Sequence, residues 1–279
     1  MSPGAVLPTG ARKTSTQWHP DWRLPVKVAS PGRWMTSIYN GQPDPFTGNA
    51  IASCAPSSAV LPDGKPIAAL CKRVEQSTTD ADGHLGFSAG LQAGVANRVS
   101  TWTYDALGQV LTAKGPRTAV NDTTTTAYYG DTTADHTLGD RYTVTHAAGE
   151  VTTFNQYDKY GNVLQSTDGN GIVTLNTYDA RQRLLTRSVG GETTTYAYDA
   201  IGQLTRITQA DGSWVGYEYD DAHRQVAVTD HLGNRIDYQL DNAGSKTSER
   251  VKDPSGQLRR SMARVLDALD RLQQTSGTE

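Results

Sequence analysis

The residues of this chain best suited to chemistry come in pairs. Tyrosine precedes aspartate at Tyr104-Asp105, Tyr157-Asp158, Tyr178-Asp179, Tyr198-Asp199 and Tyr219-Asp220, and Leu240-Asp241 takes the same place once more. A carboxylate beside a phenol can move protons or bind a cation, so each pair is a candidate catalytic or binding motif. Nothing in the sequence completes such a site. The six histidines, His19, His84, His136, His146, His223 and His231, are scattered, and none stands in a His-Glu-x-x-His or other metal spacing. Cys54 and Cys71 are the two cysteines, with no histidine pair beside them to make a structural zinc site.

The stretch "DADG" at 80–83 is a fragment of a calcium loop. With Asp80 and Asp82 as its third and fifth positions, the twelfth falls on Ala89, where a glutamate is required. A plain turn is the better reading. Glycine-rich pieces such as "DGNG" at 168–171 recur at repeat spacing and open no helix, so they are not phosphate loops. There is no Gly-x-Ser-x-Gly, and no serine or cysteine nucleophile is paired with a base by spacing. The expectation is a protein without catalytic residues, cofactor or metal.

Trp18, Trp22, Trp34, Trp102 and Trp214, with the Asp- and Asn-rich turns, are residue types that stack on and hydrogen-bond sugars. Trp102 and Trp214 are the candidates for sugar stacking. The plainer reading is that such rings cover the face of a thin sheet with little other apolar material.

Bulk composition narrows the classes further. Only 36% of the 279 residues are apolar in the AVILMFWYC sense, and 13 tyrosines stand against 3 phenylalanines. Thr, Gly and Asn are abundant, which favours strands and turns over helices. The net charge of -3 lacks the footprint of a nucleic-acid binder. No apolar run is long enough to span a membrane, and "MSPGAVLPTGARKTSTQW" has no hydrophobic core of a signal peptide.

The elements that hold the Tyr-Asp pairs follow from their spacing. Asp158, Asp179, Asp199, Asp220 and Asp241 follow one another at 21, 20, 21 and 21 residues, and Leu266-Asp267 comes after a further 26. Gly171, Gly191, Gly212 and Gly233 each lie eight residues before the next acid, and Gly149 lies nine before Asp158. A period near 20 with two turn signals per unit marks a repeat architecture.

Asp at the first and Gly at the fourth place suit a type I turn, because the carboxylate accepts nearby N–H groups and glycine tolerates a positive φ. Asp105-Gly108, Asp158-Gly161, Asp199-Gly202 and Asp241-Gly244 fit, whereas Gln182, His223 and Asp270 replace the glycine elsewhere. Five residues after the acid, Val110, Val163, Leu184, Leu204 and Leu272 open a strand, though Gln225 and Lys246 depart from this. Strands such as "ETTTYAYD" lead back to the next acid, with Tyr196 and Tyr198 on one face. Each unit therefore reads as a β-hairpin, and consecutive hairpins should pair edge to edge and stack their tyrosines into ladders. The aspartate becomes a turn former.

The copies "YDALGQVL" (104–111), "YDKYGNVL" (157–164), "YDARQRLL" (178–185), "YDAIGQLT" (198–205) and "YDDAHRQV" (219–226) resemble the YD-repeat, or Rhs (rearrangement hotspot), family. These are bacterial relatives of the teneurin extracellular domain and of the shells of insecticidal toxin complexes. The resemblance covers roughly residues 99–279. It implies an all-β fold of consecutive hairpins in a curved or spiralling ribbon, part of a hollow shell that in the family often encloses a C-terminal toxin. The implied function is structural, a wall segment that encloses or presents a toxin or effector of a polymorphic toxin. The implied partners are the remainder of a larger Rhs polypeptide or its toxin cargo, and the implied location is secreted or at the cell surface. A module binding carbohydrate or cell-surface glycans through exposed Trp and Tyr is the alternative, and an enzyme the third and weakest reading.

Along the chain, residues 1–40 read as an incoming degenerate repeat, with His19 in the acid's place, Leu24 five residues on and Gly32 eight before Asn40. Residues 41–98 break the period and are rich in Pro, Gly and Ser; one extended hairpin turning at "LPDGKP" (61–66) is expected, with Cys54 and Cys71 either bridged across its arms or left as buried thiols. Residues 99–279 form the repeat region, with "YYGD" making Asp131 a diverged acid. "SMARVLDALDRLQQ" (261–274) has helical spacing, but the repeat register favours strand, turn and strand. Terminal strands would expose unpaired edges and favour self-association.

Overall fold

A computed structural model describes residues 11–269 and 271–278; Asp270 and the first ten residues, on which part of the leader reading rests, lie outside them. Among the described residues there are 22 strands and one 3-10 turn, Gly86–Ser88, and no α-helix. Thr, Tyr and Val fill the strands, and the alternation of side chains sets which of them share a face. The fold is all-β, an antiparallel ribbon of consecutive hairpins. The chain divides into two compact units, residues 1–154 and 155–279.

In the first unit the strands Ser15–Trp18, Pro25–Ser30, Arg33–Tyr39, Leu70–Ser77, Arg98–Tyr104, Val110–Lys114, Thr123–Tyr128 and Arg141–Thr145 each pair antiparallel with the next. A separate small ribbon joins Pro43–Asp44 to Ala50–Ile51. In the second unit neighbouring strands pair in the same way from Val163–Thr167 to Leu272–Thr278. Residues 261–274 are strand, turn and strand, with Leu266 opposite Leu272.

The break in period between Asn40 and Asp105 has a simple cause. Tyr39 pairs with Leu70 as Tyr198 pairs with Leu204. Asn40 N–H donates to Ala69 O at 2.8 Å, as Asp199 N–H donates to Gln203 O at 3.0 Å. These residues are therefore one repeat, whose two turns have grown into loops over 40–69 and 78–97. The hairpin expected to turn at 61–66 is present only as a short one. Leu61 N–H reaches Lys65 O at 2.7 Å, Val60 bridges to Pro66, and Ile67 N–H donates to Ala59 O at 3.1 Å. Pro56, Pro62 and Pro66 lack the N–H groups that a longer ladder needs.

Cys54, in the first loop, is joined to Cys71, on the Leu70–Ser77 strand, by a disulfide. The other buried apolar residues of this unit among those described are Ala29, Ile38, Tyr39, Ala59, Val74 and Ala89, with Val74 fully buried. In the second unit the buried apolar residues among those described are Tyr157 and Ala227. One face of that unit carries the file Tyr196, Ile207, Val215, and the other the file Thr177, Thr186, Thr195, Thr208.

Candidate functional site

The Tyr-Asp pairs sit at the turn-side ends of the strands, and the same geometry recurs at each. Asp199 accepts N–H donations from Gly202 through its carbonyl and gives its own N–H to Gln203 O. Its Oδ1 gathers the N–H groups of Ile201, Gly202 and Gln203 at 3.1, 2.8 and 2.8 Å. Asp105 does the same for Leu107 and Gln109, and Asp158 for Tyr160 and Asn162. Asp241 holds Ser245 N–H at 2.9 Å. This is a type I turn followed by a left-handed residue, a three-residue hairpin loop with a bulge. Gly108, Gly161, Gly202 and Gly244 supply the left-handed residue.

Where glycine is missing the geometry persists. Gln182 and His223 hold φ of 67° and 65°, a region in which a side chain is strained. At both, the next residue is an arginine that grips the turn carboxylate: Arg183 Nε donates to Asp179 Oδ2 at 2.7 Å and Arg224 Nε to Asp220 Oδ2 at 2.8 Å. Arg271 treats Asp267 in the same way. The Arg224 side chain, together with its backbone N–H, holds the Asp220 carboxyl below the usual carboxylate range. The signal for this was present as Asp-x-x-x-Arg in each glycine-free copy, 179–183, 220–224 and 267–271.

The tyrosines act through their hydroxyls. Tyr178 OH donates to Val163 O at 3.2 Å, Tyr198 OH to Leu184 O at 3.0 Å and Tyr219 OH to Leu204 O at 2.8 Å. Tyr104 reaches Leu70 O and Tyr128 reaches Val110 O. Each tyrosine thus fastens the strand-opening residue of the preceding hairpin. The expected ring ladder does not form among Tyr178, Tyr198 and Tyr219; Arg183 lies over the Tyr198 ring at 4.5 Å instead. Alternation fixes the face a ring occupies but not what it touches. Burial raises the phenols of Tyr104, Tyr178 and Tyr219, which keeps them protonated as donors.

Tyr128 also corrects the reading of Asp131. Tyr128 holds the repeat tyrosine's place, so Tyr129 stands where the acid would be, giving its N–H to Asp140 O at 2.8 Å. Asp131 lies two residues further out in the loop and contacts His136 Nε2 at 3.0 Å.

Successive turns of the second unit are tied to each other. Asn162 Nδ2 donates to Gln182 Oε1, Arg181 Nη1 to Ala200 O at 2.9 Å, Gln203 Nε2 to His223 O at 3.0 Å and Arg224 Nη1 to Asp241 O at 2.9 Å. The opposite turns use the same aspartate device at Asp168, Asp230 and Asp253. Their Asp-x-x-Gly spacing, at 168–171, 230–233 and 253–256, is plain in the sequence.

The first repeat departs in one respect. His19 stands in the acid's place, and its Nδ1 accepts the N–H groups of Asp21 and Trp22 at 3.1 and 3.2 Å. Its ring stacks on Trp22 with centroids 4.2 Å apart.

Other candidates are structural in their surroundings. Asp80 of "DADG" is buried and takes the N–H groups of Gly83, Leu85 and Gly86, closing a loop. Among the described residues no group of His, Cys, Asp or Glu is placed to hold a metal. The nearest approach to a nucleophile, base and acid is Thr133, His136 and Asp131, with Thr133 Oγ1 3.2 Å from His136 Nδ1. Thr133 Oγ1 also accepts Asp135 N–H and His136 stacks on Tyr129 at 3.5 Å, so the set braces its own loop. Arg206 lies 4.3 Å over the Trp214 ring, and Arg73 lies 5.7 Å over Trp102. Among the described residues no helix is long and apolar enough to cross a membrane.

The geometry defines a class: a scaffold of tandem β-hairpins, each clamped by a turn aspartate and a tyrosine hydroxyl. A model of the RHS Repeat matches residues 178–213, two of these clamped hairpins. Residues 178–213 are thus RHS repeat in sequence, and the hairpins on either side share their turn and tyrosine geometry. No curated protein matches the sequence of this chain. Among solved structures, TcdB2-TccC3-Cdc42 is similar to it with a TM-score of 0.50 and 14% identity, over 91% of this chain and 13% of that one. TcdB2-TccC3 without its hypervariable C-terminal region gives the same TM-score, identity and coverage. The Photorhabdus luminescens Tc holotoxin pore is similar at a TM-score of 0.43 and 16% identity, over 92% of this chain and 16% of that one. At such identities the likeness is one of fold, and this chain spans a small part of the chains it matches.

Proposed function

We propose that this chain is a segment of an Rhs shell wall that encloses or presents a toxin or effector segment. One observation carries the reading. The turn aspartates and tyrosine hydroxyls are taken up by backbone groups of their own or a neighbouring hairpin, and the turn arginines, where present, by the turn aspartate, so repetition yields more wall. The likeness to TcdB2-TccC3 structures supports it. The mechanism is mechanical: a continuous hydrogen-bonded sheet separates a cargo from proteases and solvent until delivery. The partners are then the rest of a larger Rhs polypeptide and its cargo, exported together and secreted or displayed at the cell surface.

Limited proteolysis of the full polypeptide that carries this chain tests the reading. The cargo segment should resist cleavage in the intact protein and become sensitive when Ile207→Asp and Val215→Asp put charges on the sheet face. Cargo cleaved in the intact protein as fast as in isolation would overturn it.

The glycan-binding reading needs an open aromatic face. At Trp214 and Trp102 a guanidinium already lies over one face of the ring, so a sugar stacking on that face would have to displace it. Glycan-array binding lost on Trp214→Ala would restore that reading.

A further inference from the structure

The turns of this ribbon need an acceptor that gathers backbone amides, and at His19 that acceptor is an imidazole nitrogen instead of a carboxylate oxygen. The difference has a chemical consequence. A carboxylate accepts through its oxygens until the pH nears 4, whereas an imidazole nitrogen accepts only while it carries no proton, and imidazoles take up protons in the mildly acidic range.

We propose that the 19–24 turn is a proton-sensitive latch on the first repeat, held at neutral pH by His19 Nδ1 and released in mild acid. With a proton on Nδ1, an N–H would face the two N–H groups of Asp21 and Trp22 that it now receives. His19 itself is buried, so the imidazole side of the contact is poorly reached by water. The turn must then open. His19 stacks on Trp22, Trp22 meets Tyr39 edge-on at 6.4 Å, and Tyr39 OH donates to Pro25 O at 3.0 Å. Opening therefore loosens the Ser15–Trp18 strand from Pro25–Ser30 and uncovers two aromatic rings.

The charged and titratable groups on the elements around the latch do not replace the lost acceptor. Asp21 and Arg23 belong to the turn itself, and Asp21 is exposed. Lys27, on the paired strand, lies over the Trp34 ring at 3.9 Å. Tyr39 comes from the next strand, with the charge of Arg73 acting on its phenol. The aspartate turns behave oppositely in the same range. Asp220 is held below the usual carboxylate range, first by the Arg224 side chain, so its contribution is complete above about pH 4 and fades only as pH falls through that lowered value.

Hydrogen exchange of the whole chain at pH 7.5 and 5.5, corrected for intrinsic rates, tests the latch. Protection of the Asp21 and Trp22 amides should fall about tenfold at the lower pH, while Ile201 and Gln203 hold theirs. In His19→Asp, and in His19→Asn should the first variant not fold, protection at 21 and 22 should no longer fall. Equal protection at both pH values in the natural chain, or the same fall in both variants, would overturn the proposal. So would loss of the effect in His84→Gln, because His84 Nε2 contacts Ala11 O at 2.9 Å and offers a rival explanation.

Discussion

Residues 33–104 and residues 155–279 keep the same kind of sheet folded by different means. In the first stretch the turns have grown into loops that return to the strands: Asp44 pairs with Lys72 at 2.8 Å, Cys54 is bonded to Cys71, and Trp34 Nε1 donates to Gly86 O at 2.9 Å. This stretch also holds most of the buried apolar residues of the first unit, Val74 and Ala59 among them. The second stretch has almost no core among its described residues, and its hairpins are held by turn carboxylates, tyrosine hydroxyls and links from one turn to the next. The comparison teaches that a single-layer sheet can replace hydrophobic burial with local polar clamps, provided that each clamp is repeated. It also predicts different failure: the first stretch should lose its loops as a block, and the second should fray hairpin by hairpin.

The largest test breaks the first side of the comparison. Replacing both cysteines, Cys54→Ser with Cys71→Ser, should destabilise the first unit by about 3 kcal/mol, since the bridge closes a loop of 17 residues. Denaturant unfolding followed by hydrogen exchange should show residues 40–69 released first and residues 184–240 unchanged. Equal loosening of the second unit would show that the two stretches are not held independently.

A smaller effect sharpens the other side. Tyr198→Phe removes the hydroxyl that fastens Leu184 O and should cost about 1 kcal/mol. The loss should appear as faster exchange confined to the 184–198 hairpin and its neighbours. A global drop spread over the unit would argue that the hairpins unfold as one body and that the clamps are not local.

The two stretches also differ in how far their organisation can be read from residues alone. In the second, Asp and Gly are spaced by the turn itself, so hairpins, strand starts and the strand over 272–278 all follow from the register. In the first, the register is still obeyed, Tyr39 opposite Leu70, but a loop of variable length intervenes and the period disappears from view. Loop length is not constrained by strand pairing, which needs only that the loop's ends meet. The fate of the tyrosines was hidden for another reason. Period-two alternation places a ring on a face, whereas the acceptor it finds, a carbonyl one hairpin away, depends on the stacking of hairpins. Leu24 at the right spacing places His19 in the acid's position, but spacing alone does not show that its Nδ1 accepts the turn amides as a carboxylate would.

The smallest predicted effect probes why some clamps use arginine. His223 stands at φ 65° where glycine would be unstrained, and Arg224 holds the Asp220 carboxylate of the same turn. If the ion pair compensates for the missing glycine, His223→Gly should stabilise the protein by about 0.5 kcal/mol, relief of the left-handed strain being partly offset by glycine's greater freedom when unfolded. The Gln203 Nε2 bond to the carbonyl of residue 223 survives the change, since it uses only the backbone. Arg224→Ala should then lower the melting temperature of the natural chain more than that of the His223→Gly variant, a coupling that a double-mutant cycle measures directly. Equal losses in the two backgrounds would mean that arginine and left-handed histidine merely coincide. Unequal losses would make the Asp-x-x-x-Arg turn a second, independent way of building the joint that glycine builds elsewhere in the ribbon.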